Sequence, residues 1–475
     1  MLFNSLEFLA FLPLTFIAYW AVFQRYLRAQ NAMLLVASYV FYGWWDARFL
    51  LLIAASTAVD FVVGQRIASA STRSTARRWL GVSLGVNLAF LGYFKYANFF
   101  IDSWISAWEA VGVTMQASTL NIILPVGISF YTFQTLSYSI DVYRGKLQPT
   151  RDFISFATFV GFFPQLVAGP IERAKQLLPQ IEQKRRFTGE DATVGLRLIV
   201  WGLFKKVAVA DSCAVQVNDI FGHYADHDGP TLLLGLFYFM FQIYGDFSGY
   251  SDMAIGTARL FGIRLMTNFS MPYLSRDIPE FWKRWHISLT SWFGDYVYRP
   301  LGGPFGGKYK SARNMFLVFL ISGFWHGANW TYVVWGGVHG LLFLPAIVRG
   351  RKRKWRRVQS GTPTLREWRA MAQTFFVLML TNALFRSPNL SAAAGYFVGI
   401  FSWPSSWSGV YQHHVEGVTW ALIAVLMGAE ALQVFYKASP KRLGAFEPVL
   451  WAVSLLFFLS SPGFEAQNQF IYFDF

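Results

Sequence analysis

Two histidines stand in settings that suit proton transfer. His326 lies in FWHGANW at 324–330, flanked by Gly323, Gly327, Ala328 and Asn329, between the apolar runs NMFLVFLISG and TYVVWGGVHGLLFLPAIV. An imidazole is the side chain best matched to general acid and base work near neutral pH. In an apolar run the same group can instead serve as a hydrogen-bond partner between helices. His286 lies in RWHISL, within a segment where Phe281, Trp285, Leu289, Trp292 and Tyr296 recur at spacings of four, four, three and four. That stripe predicts an amphipathic helix in the membrane interface, started by Asp277, Pro279 and Glu280, with Lys283, His286 and Thr290 on other faces. His286 is then either a solvated interfacial side chain or a binding or catalytic group. His339, in WGGVHG, has no comparable setting and reads as structural.

Carboxylates supply the second constellation. QIYGDFSGYSDMAIG at 242–256 carries Asp246 and Asp252 among Ser248, Ser251, Gly245, Gly249 and Gly256. Ionisable groups in apolar segments are costly and point to function, while small residues let helices approach closely. The two aspartates can equally pair with Lys205, Lys206 or Arg264 and hold helices together. His286, His326 and His339 share no HxxxH or HExxH spacing, so no metal is expected. No GxSxG, Walker A sequence or dinucleotide fingerprint stands in a strand–turn–helix context, which argues against a serine hydrolase, an ATP-driven pump and a nicotinamide site. The single cysteine, Cys213, excludes an intrachain disulfide and a CxxC pair and reads as packing.

Composition sets the elements that must position these groups. With 54% hydrophobic and 14% charged residues in 475, the chain is too apolar for a soluble globule and is expected to be an all-α polytopic membrane protein. Apolar runs place spans near 5–23, 31–45, 49–65, 79–101, 121–143, 194–211, 232–258, 366–386, 417–436 and 448–463, with a hairpin at 314–348. The first reads as a retained span rather than a cleaved leader, since no basic segment precedes its apolar core. The net charge of +15 would suit nucleic acid, but in a membrane protein such an excess belongs to cytoplasmic loops. Loops with Arg66, Arg73, Arg77 and Arg78, with Arg144 to Arg151, with RGRKRKWRR at 349–357, and with Lys437, Lys441 and Arg442 are therefore cytoplasmic. Segments 102–121, 212–231 and 387–416 hold no Lys or Arg, and the two sets alternate if both termini are outside.

Two segments have basic residues on both sides. Residues 153–171, with Gly161, Pro164 and Gly169-Pro170, are expected to form a re-entrant or broken helix, with a tilted continuous helix as the alternative. The hairpin 314–348 would carry WHGAN deep into the bilayer or near its outer face. No internal repeat is evident and no stretch is left for a soluble domain. The longest candidate, 264–313, is aromatic and basic.

LPVGISFYTFQTLSYSIDVYRG at 124–145, FFPQLVAGPIER at 162–173, DFSGYSDMAIG at 246–256, FWKRWHISLTSWFGDYVYRPLGG at 281–303 and FWHGANWTYVVWGGVHG at 324–340 resemble, in order, the membrane-bound O-acyltransferase (MBOAT) family. Within it they most resemble the branch of bacterial alginate O-acetyltransferase membrane subunits. The resemblance implies one membrane domain over 1–475, with a core at about 121–348, spans over 366–463, a tail at 464–475, and about 10–12 transmembrane helices plus re-entrant and amphipathic interfacial helices around a central funnel. It implies His326 as the catalytic residue and His286 as a second essential position. It further implies a thioester donor such as acetyl-CoA entering from the cytosol, a bacterial inner-membrane location, a periplasmic SGNH-type acetyltransferase partner and a polysaccharide acceptor. Lys283, Arg284 and Arg299 would suit the phosphates of coenzyme A. The closing FIYFDF at 470–475 resembles a terminal aromatic motif of envelope acylation systems, and Tyr472 matches its acyl-carrying tyrosine. The same residues can instead be an interfacial anchor among membrane lipids. A transporter of acyl donor or glycan, and a scaffold that recruits the partner enzyme, remain competing classes.

Overall fold

A backbone at membrane depth must satisfy its own polar groups, which favours helices, and among the described residues every regular element is a helix. The structure, a computed structural model, describes residues 1–115, 119–120, 122–348, 362–402, 417–436 and 470–471. The expected span 448–463, the basic run 349–357, Lys437, Lys441, Arg442 and Tyr472 lie outside the described residues. Two compact units divide the chain, Met1–Ile199 with Met253–Met266, and Val200–Asp252 with Thr267–Phe475.

The first unit holds α1 (Leu6–Ile17), α2 (Leu27–Gly43), α3 (Phe49–Ala68), α4 (Arg73–Leu91), α5 (Ala97–Glu109), α6 (Ile128–Tyr143), α7 (Phe153–Gly161), α8 (Phe163–Leu166), α9 (Ala174–Glu182) and most of α10 (Gly189–Leu203). A π-helical turn, Gly92–Tyr96, joins α4 to α5, so the expected span 79–101 is the middle of a longer helical stretch. The expected span 121–143 begins late, because Gly127 is left-handed at φ +77 and a Cβ there would sit 2.7 Å from the Leu166 carbonyl oxygen. The segment 153–171 is a broken helix, not a tilted continuous one. Phe162 leaves helical geometry with ψ 108, and α8 restarts with Pro164 in its first turn. The exposed backbone is satisfied by side chains, as depth in a membrane demands. Phe163 N–H donates to Ser38 Oγ at 3.1 Å, and the Phe159 carbonyl accepts from Gln134 Nε2 at 2.5 Å and from Gln165 Nε2 at 3.1 Å.

Asp60 of α3 is buried yet fully hydrogen-bonded. Its Oδ1 accepts from Ser83 Oγ at 2.5 Å and Ser139 Oγ at 2.8 Å, and its Oδ2 from Asn87 Nδ2 at 2.7 Å. Gly64, one turn further along α3, leaves room for the Tyr138 ring, since a Cβ would lie 2.6 Å from it. Buried polar networks of this kind specify one helix register, because a half-satisfied network costs more than none.

Glu172, in the loop after α8, is 1% exposed and accepts from Met266 N–H at 2.6 Å. Burial pushes its carboxyl up to about 7 from an ordinary 4.5, against the Met266 hydrogen bond and the charge of Arg173. The folded chain therefore holds this proton more tightly than the unfolded chain, and stability falls as pH rises between those two values. Glu172→Gln is expected to melt higher than the parent at pH 8, with the gap closing below pH about 4.5. Thermal unfolding in detergent at the two pH values measures this. A parent that gains on the variant as pH rises would reverse the sign.

The second unit holds the last residues of α10, α11 (Asp211–Gly222), most of α12 (Gly229–Leu260), α13 (Ile278–Phe281), α14 (Ile287–Phe293), α15 (Lys308–His326), α16 (Trp330–Val348), α17 (Leu365–Arg386), α18 (Leu390–Gly399) and α19 (Gly417–Tyr436). The π-helical segment Phe204–Ala210 continues α10 into α11. Three helices among the described residues, α3, α16 and Gly417–Phe435 of α19, are long and apolar enough to cross a membrane by themselves. The hairpin α15–α16 is closely packed along its length. A Cβ on Gly323 would lie 2.2 Å from the Tyr332 carbonyl oxygen, and one on Gly336 would lie 2.4 Å from that of Phe319, so only glycine allows this approach.

Candidate active site

The helix α15 ends on His326, and the glycines explain the stop. Gly327 is extended, and a Cβ there would collide with the Tyr332 ring at 2.2 Å. Asn329 restarts the chain. Its Oδ1 accepts from Thr331 N–H at 3.0 Å and its Nδ2 donates to the Pro388 carbonyl at 2.7 Å. The turn thus holds His326, 2% exposed, in a cage of rings. The centroids of Trp325, Trp335 and Phe385 lie 5.1, 5.3 and 5.5 Å from its own, and Trp335 is perpendicular to it.

His286 is fully buried, and its ring centroid lies 6.4 Å from that of His326. The continuous amphipathic helix expected from Asp277 to Tyr296 is not present. Helix α13 stops after four residues, His286 takes a left-handed backbone at φ 44, and α14 starts afresh behind it. Phe281, Trp285, Leu289 and Trp292 are all buried, so the apolar stripe faces protein on both sides of the break. Asn268 holds the kink. Its carbonyl accepts from Ile287 N–H at 2.8 Å, and its Oδ1 accepts from Ser288 Oγ at 2.9 Å. Asn268 Nδ2 donates to Ser251 Oγ at 3.1 Å, which fixes Oδ1 as the acceptor facing His286 Nδ1, 3.1 Å away. His286 Nδ1 therefore carries the hydrogen, and the lone pair of the neutral ring is on Nε2.

His326 lines a narrow cavity of about 20 Å³ with His339, Tyr273, Trp335, Asn382 and Phe385. His339, set aside on sequence grounds, therefore belongs to the same chamber. Thr381 Oγ1 donates to the Leu378 carbonyl at 2.7 Å, so it accepts from His339 Nε2 at 3.1 Å and leaves His339 Nδ1 as the acceptor nitrogen. Its neighbourhood is remote in sequence, and no local spacing around WGGVHG signals it. Among the described residues no group of three or more His, Cys, Asp or Glu could hold a metal ion.

Comparison with known proteins gives the family in which this arrangement of buried imidazoles and glycine-packed hairpin stands. The family model described as MBOAT, membrane-bound O-acyltransferase family, matches residues 86–383. The chain belongs to this family. It is 43% identical over 404 residues to the protein named probable alginate O-acetylase AlgI in Pseudomonas putida, covering 85% of this chain and 80% of that one. It is 35% identical over 440 residues to the peptidoglycan O-acetyltransferase of Helicobacter pylori, covering 84% and 80%. It is 28% identical over 242 residues to the teichoic acid D-alanyltransferase of Bacillus subtilis, covering 47% and 58%. It is an O-acyltransferase and a membrane protein.

The carboxylates of this O-acyltransferase pair with the lysines rather than with Arg264. Lys205 Nζ lies 2.9 Å from Asp252, and Lys206 Nζ lies 2.8 Å from both Asp246 and Asp211. Arg264 instead meets Asp191 at 3.2 Å. Glycines make the lysine contacts possible, since a Cβ on Gly245 or Gly249 would lie 2.7 Å from the carbonyl oxygen of Lys205 or Gly202. Tyr244 adds a hydroxyl donated to Glu430 of α19, an acid that sequence reasoning did not single out. Of the basic residues expected to meet coenzyme A, Lys283 is exposed, Arg284 pairs with Glu280 at 2.8 Å, and Arg299 pairs with Asp295 at 2.9 Å. Burial raises the Glu280 carboxyl, but hydrogen bonds from Arg276 and the charge of Arg284 outweigh it and hold it below its ordinary value.

Proposed function

We propose that this O-acyltransferase takes an acetyl group from acetyl-CoA at the cytoplasmic face of a bacterial inner membrane and delivers it to the outer face. There a periplasmic SGNH-type acetyltransferase would place it on a cell-surface polysaccharide, an alginate-like exopolysaccharide or peptidoglycan. The burial of His326 against His286 carries the reading, because a base caged by rings acts where water cannot hydrolyse the thioester. The names of the relatives from Pseudomonas putida and Helicobacter pylori support acetyl and a polymer acceptor. The alternation of basic and uncharged loops supports an outer location for both termini.

In this reading the Tyr472 phenol attacks the thioester carbonyl. The C–O bond forms, the C–S bond breaks, and the phenolic proton passes through His326 to the departing thiolate of coenzyme A. The tyrosyl ester then gives its acetyl group to a hydroxyl of the partner or acceptor. Lys283, Arg284 and Arg299 would meet the phosphates, with Arg284 and Arg299 exchanging carboxylates for phosphate oxygens. Mass spectrometry of the C-terminal peptide after incubation with acetyl-CoA tests the scheme. An added acetyl group on Tyr472, absent in His326→Ala, is the expected result. A chain that transfers acetyl groups while Tyr472 is never modified would remove the carrier step.

A further inference from the structure

Helix α12 presents an anchor to the far end of the chain. Asp246 Oδ2 accepts from the backbone N–H of Ile471 at 2.7 Å, while its Oδ1 lies 2.8 Å from Lys206 Nζ. Ile471 and Phe470 are 7% and 3% exposed. Phe470 packs its ring 4.7 Å from Tyr250 and 6.4 Å from Phe247, and Phe247 meets His286 edge to face at 4.7 Å. A single aromatic ring, Phe247, therefore lies between Phe470 and His286.

The chemistry of the anchor is specific. Two carboxylates, Asp211 and Asp246, share the ammonium of Lys206. The ammonium is shared, and the second oxygen of Asp246 takes a further donor, which the Ile471 N–H supplies. A hydrogen bond to an ionised acceptor is among the stronger ones a buried backbone group can make. The contact reads main chain rather than side chain, so any residue but proline at 471 could make it. The ring of Phe470 then sets direction.

We propose that the Lys206–Asp246 pair, with Tyr250 and Phe247, is a docking notch for the chain's own C-terminal segment, and that Asp246 positions this segment beside His286. The consequence for catalysis rests on the reading of Tyr472, the residue bonded to Ile471, as acyl carrier. The docking itself does not.

Photo-crosslinking on the full chain tests the notch. Benzoylphenylalanine in place of Phe470, irradiated in detergent, is expected to be captured by the α12 peptide containing Phe247 and Tyr250. Asp246→Ala is expected to lower the yield by roughly tenfold or more, as loss of a charged buried acceptor implies. Asp246→Asn, which keeps a carbonyl acceptor, is expected to fall between. Lys206 retains Asp211 in these variants, so no cation is stranded. Equal capture in the parent and in Asp246→Ala would overturn the proposal. Phe470→Ala, which leaves the notch intact, is expected to lower kcat with the donor KM unchanged and to be restored by Phe470→Tyr. Turnover at the parental rate in Phe470→Ala would remove the positioning role. Should Tyr472→Phe prove fully active while capture still depends on Asp246, the docking stands and only the carrier reading fails.

Discussion

Alanine in place of His326 is expected to lower acyl transfer by about 10²- to 10⁴-fold in kcat, while the protein still binds its thioester donor. The helix end that carries His326 is set by other residues, namely the glycine contacts of α15 with α16 and the two hydrogen bonds of Asn329. Removing the imidazole leaves those in place and opens a void beside Trp335 and Phe385. His326→Gln separates base from spacer, because the amide fills most of the ring's volume and hydrogen-bonds but cannot accept a proton near neutral pH. Both variants are expected to be equally inactive in transfer from labelled acetyl-CoA, with donor affinity by calorimetry close to that of the parent. A glutamine variant with substantial turnover would assign His326 to positioning instead.

Hydropathy located most helices of the fold, because an apolar run of span length has few other ways to satisfy its backbone. It could not find their ends or their breaks. The late start of α6 depends on Gly127 meeting the Leu166 carbonyl, a contact between residues 39 positions apart. The break before α8 was legible, since Gly161 and Pro164 mark it locally. Period alone also misled at 277–296, where the spacing of Phe281, Trp285, Leu289 and Trp292 is helical but His286 turns the chain left-handed between them. Buried rings on both sides of a kink keep the same stripe as one continuous helix.

The site was half legible for the same reason. His326 announced itself through its own glycines. Asn268, which fixes the His286 ring, lies 18 residues away with no local signal, and His339 joins the chamber through ring contacts with Trp335 and Trp282 at 4.6 and 5.2 Å and its hydrogen bond with Thr381. The pairing of Lys205 with Asp252 and of Lys206 with Asp246 was available as a possibility from composition, but which lysine met which acid depended on the π-helical turn at 204–210.

Asparagine in place of His286 is expected to keep the fold and to lose about 10²-fold or more in transfer. The left-handed backbone, φ 44 and ψ 53, costs most residues about 1–2 kcal/mol, and asparagine is among the few that adopt it readily. The kink is held from outside by the Asn268 carbonyl on Ile287 N–H and by Asn268 Oδ1 on Ser288. Those bonds do not need the imidazole. What asparagine cannot supply is the Nε2 lone pair, which Asn268 preserves by taking the hydrogen on Nδ1. His286→Val is the contrasting variant. A β-branched residue at this backbone adds strain of about 1–3 kcal/mol to the same chemical loss, so it should also melt lower than the parent. Thermal unfolding and transfer assays on the pair separate the two contributions. Full activity in His286→Asn would reduce His286 to a backbone wedge, whereas equal melting of the asparagine variant and the parent with transfer abolished places the requirement on the imidazole nitrogen itself.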